Sequence, residues 1–163
     1  MAAPENRKAK IAVGKRDVVL DSSHMAFNEA SLSKYMEEEH VWYDYYGQAL
    51  AELEGQYHQL DVDHDARHAL VFQENKENGC SDKLCDAYAK SDSKVIEIRK
   101  QIAIVKEGMS LLKNHLRAWD KAHDNAQSRG HMIRKEMDKL NTGIMETRQT
   151  QGDMEANIAS RKK

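Results

Sequence analysis

A 3,4 rhythm of apolar residues runs through the second half of the chain and limits its architecture more than any other feature. It passes from Leu84 through Tyr88, Ser91, Val95, Ile98, Ile102, Val105, Met109, Leu112, Leu116, Trp119, His123, Ala126, Gly130, Ile133, Met137 and Leu140 to Ile144. Residues three and four apart share one face of an α-helix, so this spacing predicts a long helix with a narrow apolar seam. About seven heptads at 1.5 Å per residue reach roughly 70–75 Å. The only proline is Pro4, so nothing downstream removes a backbone donor from a helix interior. Ser91 to Ser93 mark a place where the helix can break or restart.

A weaker seam comes earlier, at Leu32, Met36, Tyr43, Tyr46, Leu50, Leu53, Tyr57, Leu60 and Val71, with Glu39, His64 and Arg67 at seam positions. The run ENKENGCSD, Glu74 to Asp82, holds Asn78, Gly79 and capping residues and reads as the turn between two helices. Upstream, Asp21 can cap a helix, with Leu20 and Met25 at the spacing of a hydrophobic staple. Ser22 and Ser23 are alternative caps. The expected fold is all-α: a long antiparallel helical hairpin with coiled-coil character over residues 17–144. A flexible basic arm, residues 1–16, is expected before it, and a polar tail that frays, residues 145–163, after it.

The second helix carries a further stripe on a neighbouring face, made of Ile96, Ala103, Ile104, Leu111 and Ala118. On the first helix Trp42 and Tyr45 lie off the seam. Covering one aliphatic or aromatic side chain is worth roughly 1.5–3 kcal/mol. A two-helix hairpin leaves that stripe wet, so the pattern predicts association of copies into a ring-like homo-oligomer. Trp42, Tyr45, Ile96, Ile104 and Leu111 are the expected contacts, with base stacking as the other reading of Trp42 and Tyr45.

Motifs for catalysis are missing from the sequence. His64 and His68 are four apart on one face but lack a third metal ligand. The Asp61, Asp63, Asp65 series has Ala66 where a calcium loop needs glycine and Phe72 where it needs glutamate. Cys80 and Cys85 are not a CxxC pair and are too few to staple a secreted scaffold. The expectation is a non-enzyme without cofactor or metal, with no membrane span, in the cytoplasm.

The formal net charge of the 163 residues is −2, so the chain as a whole is not a polycation. Its front is basic, with Arg7, Lys8, Lys10, Lys15 and Arg16 against Glu5. Single subunits would hold a polyanion weakly, whereas a ring repeats every basic edge around one axis and the weak contacts add. Lys15 and Arg16, together with Arg67, Lys76 and Lys83 near the turn, are the expected phosphate contacts. Arg129 and Arg134 suit either assembly or DNA.

Four stretches, in this order, resemble the UvsY family, the recombination mediators of tailed phages. The first is Lys15, Arg16, Asp17, Val18, then Leu20, Asp21, Ser22 and Ser23, similar to the family's basic pair and its aspartate-serine-threonine helix start. The second is EASLSKY, Glu29 to Tyr35. AKSDSKV, Ala89 to Val95, follows, and QSRGHMIR, Gln127 to Arg134, resembles the family's Ser-Arg-Gly segment. The resemblance covers roughly residues 15–140. It implies an all-helical subunit in rings of about six or seven. Such proteins bind single-stranded DNA without sequence preference. They help a RecA-like recombinase load onto DNA covered by single-strand binding protein. A Lys-Ala-Arg implicated in the family's DNA binding is placed best on Asp65, Ala66 and Arg67, so only Arg67 carries over. The rival expectation is a coiled-coil structural or adaptor protein, such as a phage assembly or scaffolding factor, without nucleic-acid binding.

Overall fold

The computed structural model describes the backbone of residues 8–160 and the side chains of residues 8–142. Residues 1–7 of the expected arm, residues 161–163 of the expected tail and the Ile144 side chain lie outside the described residues. The fold is mostly helical, with one small two-stranded sheet. The strands are β1 (Lys8–Val13) and β2 (Arg16–Asp21), and the helices are α1 (Leu32–Glu77), α2 (Asp82–Ser91) and α3 (Ser93–Ser160). Among the described residues no helix is long and apolar enough to cross a membrane.

The sheet corrects the expected arm. Residues 8–16 are not a flexible extension but most of an antiparallel β-hairpin, paired from Lys8↔Asp21 to Val13↔Arg16. Ala9, Ile11, Val13, Val18 and Leu20 alternate with exposed neighbours and present one apolar face. Gly14 opens the two-residue loop at φ +60°, the positive angle required at the first loop position of a type II′ hairpin. The apolar face explains the order: Ile11, Val13, Val18 and Leu20 are buried in the main core. Charge counting hid this pattern, because the lysines sit on the other face.

Asp21 does cap, but it caps a 3-10 turn (Ser22–Met25), accepting from Ser23 N at 2.9 Å. The long helix starts ten residues later, after a second 3-10 turn (Glu29–Ser31) held by a reciprocal Asn28–Ser31 capping box. At its far end α1 stops in a Schellman motif. Gly79 takes φ +81° and donates to the Lys76 carbonyl, and Cys80 N–H reaches the Asn75 carbonyl. The expected turn over residues 74–82 therefore lies where the sequence placed it.

The break suggested at Ser91–Ser93 is real and falls at Asp92, whose carboxylate accepts from Lys94 N and Val95 N and so starts α3. The break also shifts the phase. Cys85 and Ala89 are the buried positions of α2, whereas Leu84 and Tyr88, expected on the seam, are exposed. Past the break the expected seam holds: Val95, Leu112, Trp119 and Ala126 are buried.

On α1 the inward positions run Leu32, Tyr35, Glu39, Trp42, Tyr46, Ala49 and Leu53, an alternation of three and four. Met36 and Tyr43, expected inside, are exposed. α1 and α3 pack antiparallel, from Glu29–Arg129 near one end to Arg67–Asp92 near the other. α3 stays helical to Ser160, so the polar tail does not fray at residue 145. Two glycines there, at 143 and 152, cost about 1 kcal/mol each, too little to end a helix without proline.

Candidate nucleic-acid interface

The predicted phosphate contacts fall into two groups. Lys15, at the tip of the β-hairpin, and Lys83, in the first turn of α2, are exposed and have no acidic partner among the described residues. The others are engaged within the chain. Arg16 pairs with Glu52 at 2.5 Å and lies over the Tyr45 ring, 5.7 Å from its centroid. Lys76 bonds Asp82 across the turn. Arg129 bonds Glu29, and Arg134 Nε donates to the Gly130 carbonyl at 3.4 Å.

Arg67 is the most committed of these residues. Its Nε and one terminal nitrogen donate to the two Asp92 oxygens at 3.1 and 2.8 Å. The hydrogen bonds and charge of Asp92 hold the Arg67 guanidinium above its ordinary value. In turn Arg67 and the α3 backbone N–H groups pull the Asp92 carboxyl down to about 2. The expected phosphate ligand is thus part of the device that starts α3.

Two expected subunit contacts also have neighbours within the chain. Trp42 and Tyr45 are half-buried by the chain's own N-terminal segment. Trp42 stacks on His24, ring centroids 3.9 Å apart, and Tyr45 lies edge-on to Tyr46 beneath Arg16. Trp42, expected off the seam, falls in the inward run of α1, and the β-hairpin and first 3-10 turn partly cover it and Tyr45. The α3 stripe is different. Ile96, Ile104 and Leu111 are 40%, 66% and 40% exposed, so the described residues leave much of this stripe uncovered.

Beyond Ile133, the last half-buried residue of α3, the described side chains are exposed, Met137 and Leu140 among them. The seam continues there without a partner from α1. From Arg134 to Ser160 the helix runs about 40 Å past that point.

The concavity between α1 and α3 does not suit a polyanion. A cavity of about 390 Å³ is lined by Glu39, Asp44, Asp120 and Asp124, with His40 and His123 and a floor of Tyr43 and Trp119. Four carboxylates around one opening repel phosphate. The histidines of the HQLDVDHDARH run are held in ordinary contacts: His64 between Asp65 and Arg99, and His68 against Asp86. Among the described residues no group of three or more His, Cys, Asp or Glu could hold a metal ion.

Among the described residues, exposed lysines thus stand at the β-hairpin tip and the α2 start, and α3 carries an exposed apolar stripe. No protein-family model, curated protein or solved structure matches the chain.

Proposed function

We propose that the chain is a recombination mediator of the UvsY type. It binds single-stranded DNA without sequence preference as a homo-oligomer. It promotes loading of a RecA-like recombinase onto DNA covered by single-strand binding protein. The observation that carries this reading is the meeting of distant family-like stretches. Glu29 of EASLSKY bonds Arg129 of QSRGHMIR, 100 residues away. The Ile96, Ile104 and Leu111 stripe, with exposed Met137 and Leu140 further along α3, supplies the apolar surface on which copies gather. Lys15 and Lys83, repeated around the assembly, supply cations for phosphate.

Anisotropy of a labelled single-stranded oligonucleotide, titrated with the full chain over a salt series, tests this. Counterion release makes log affinity fall linearly with log salt. Binding at low salt that weakens steeply supports the reading, and no binding at the lowest salt removes it. The adaptor reading is favoured by one observation, that Arg16, Arg67, Lys76 and Arg129 each hold a carboxylate of the same chain. It predicts an assembly that leaves the oligonucleotide free.

A further inference from the structure

Each of the chain's two tryptophans touches a histidine where the N-terminal segment meets the long helices. Trp42 stacks on His24 of the first 3-10 turn. On α3, Trp119 Nε1 donates to His115 Nε2 at 3.2 Å. An indole N–H has no acceptor role, so this bond requires His115 Nε2 to be unprotonated. The Tyr46 ring stands edge-on to the same imidazole, centroids 4.5 Å apart. Tyr46 is fully buried, and its hydroxyl donates to the Val19 carbonyl of β2 at 3.2 Å. One side chain therefore separates His115 from the β-hairpin.

We propose that His115 is an acid-operated latch: taking up a proton, it releases the β-hairpin and the His24 turn from α1 and α3, which stay paired. A proton on Nε2 points at the Trp119 N–H, so two donors face each other and the imidazole must turn. Tyr46 packs on that ring and turns with it, which breaks its bond to Val19. His24 adds like charge across the gap, and its Nδ1 is buried without a hydrogen-bond partner.

The surrounding charges do not rescue the imidazolium. Asp21, on the N-terminal side, attracts it but is already held by Lys8 and Ser23. Lys34, Glu38 and Glu39 of α1 line the cavity beside His24, and Glu39 is bonded to His123 at 2.5 Å. Burial first and His24 second hold the His115 imidazole below its ordinary value of 6.5, with Asp21 acting the other way. A lowered imidazole means that docking is at full strength above 6.5 and weakens as pH falls below it. Further cross-links between the long helices, Glu54–Lys113, His64–Arg99 and Arg67–Asp92 among them, do not pass through His115.

The test is amide exchange of β2 in the full chain, with tryptophan fluorescence and far-ultraviolet circular dichroism, from about pH 7.5 to about pH 4.5. His115→Gln is the reference, because glutamine keeps an acceptor for Trp119 and does not titrate. Below 6.5 the wild-type β2 should lose protection relative to His115→Gln by about tenfold per pH unit until the docked imidazole itself titrates. Helical signal should hold throughout. Should His115→Gln fail to dock the β-hairpin at neutral pH, His24→Gln is read instead: it removes the like charge that disfavours the docked imidazolium and should move the release midpoint downward. Equal pH courses in wild type and His115→Gln overturn the latch. So do helix loss in step with β2, a midpoint above 6.5, or a His24→Gln midpoint that stays or rises.

Discussion

Arg67 holds Asp92 across the two long helices through two hydrogen bonds, and Asp92 at the same time starts α3. Arg67 is one of three polar residues at inward positions of α1. Glu39 meets His123 and His64 meets Arg99 in the same way. A polar seam residue matched to one partner penalises every other alignment, since a slipped helix leaves it unpaired. The three pairs fix how α1 lies along α3.

Arg67→Ala should therefore lower the melting temperature, and Asp92→Ala should lower it further by also removing the cap. The Asp92 carboxyl is depressed from 3.8 to about 2, so its contribution is fully present above pH 3.8 and is lost as pH falls through about 2. Melting curves of wild type and Arg67→Ala should differ at neutral pH and converge in that acid window. A constant difference down to the lowest pH contradicts the assignment.

Gly108 is the point where the β-hairpin reaches α3. A Cβ there would lie 3.0 Å from Ile11 Cγ2 and 3.2 Å from Leu53 Cδ1. Glycine to alanine inside a helix gains about 1 kcal/mol of propensity, while overpacking costs about 1–3 kcal/mol. Gly108→Ala should therefore fall between neutral and about 2 kcal/mol destabilising. Gly108→Leu should displace the β-hairpin, seen as rapid exchange of β1 and β2 with helical signal intact, and Ile11→Ala should partly restore docking.

The helical half of the fold was legible because its signals are local. The seam of α3 gave Val95, Leu112, Trp119 and Ala126, and Gly79 gave the turn. The β-hairpin was present as a period-two pattern in KAKIAVGKRDVVLD, but its lysines drew the eye to charge, and a short strand reads clearly only against a face that buries it. The neighbours of Trp42 and Tyr45 on that segment, His24 and Arg16, were illegible for the same reason. Arg67 was noticed as a weak seam residue. Its bond to Asp92 depends on a tertiary approach that no local signal encodes.

Tyr46→Phe should cost about 0.5–1.5 kcal/mol, because the Val19 carbonyl loses its donor. Trp119→Ala, which empties the centre of the aromatic cluster, should cost about 3–5 kcal/mol. Denaturant melts of both variants check the order. A Tyr46→Phe loss as large as that of Trp119→Ala would mean that the hydroxyl does more than hold β2.

Ile104→Glu with Leu111→Glu should leave the pairing of α1 and α3 intact, because both side chains are already exposed in the single chain. The same double variant should reduce the mass of the particle. Sedimentation velocity together with melting separates the two effects: lower stability at unchanged mass would place the stripe inside the subunit's own packing.

The central claim is that copies of this chain gather through α3 and share a weak grip on single-stranded DNA. The most direct measurement is the native mass of the full chain at low salt, alone and with a single-stranded oligonucleotide. The account predicts a particle of several subunits that takes up the oligonucleotide. A monomer at working concentration, or an assembly whose mass is the same with and without DNA, contradicts it.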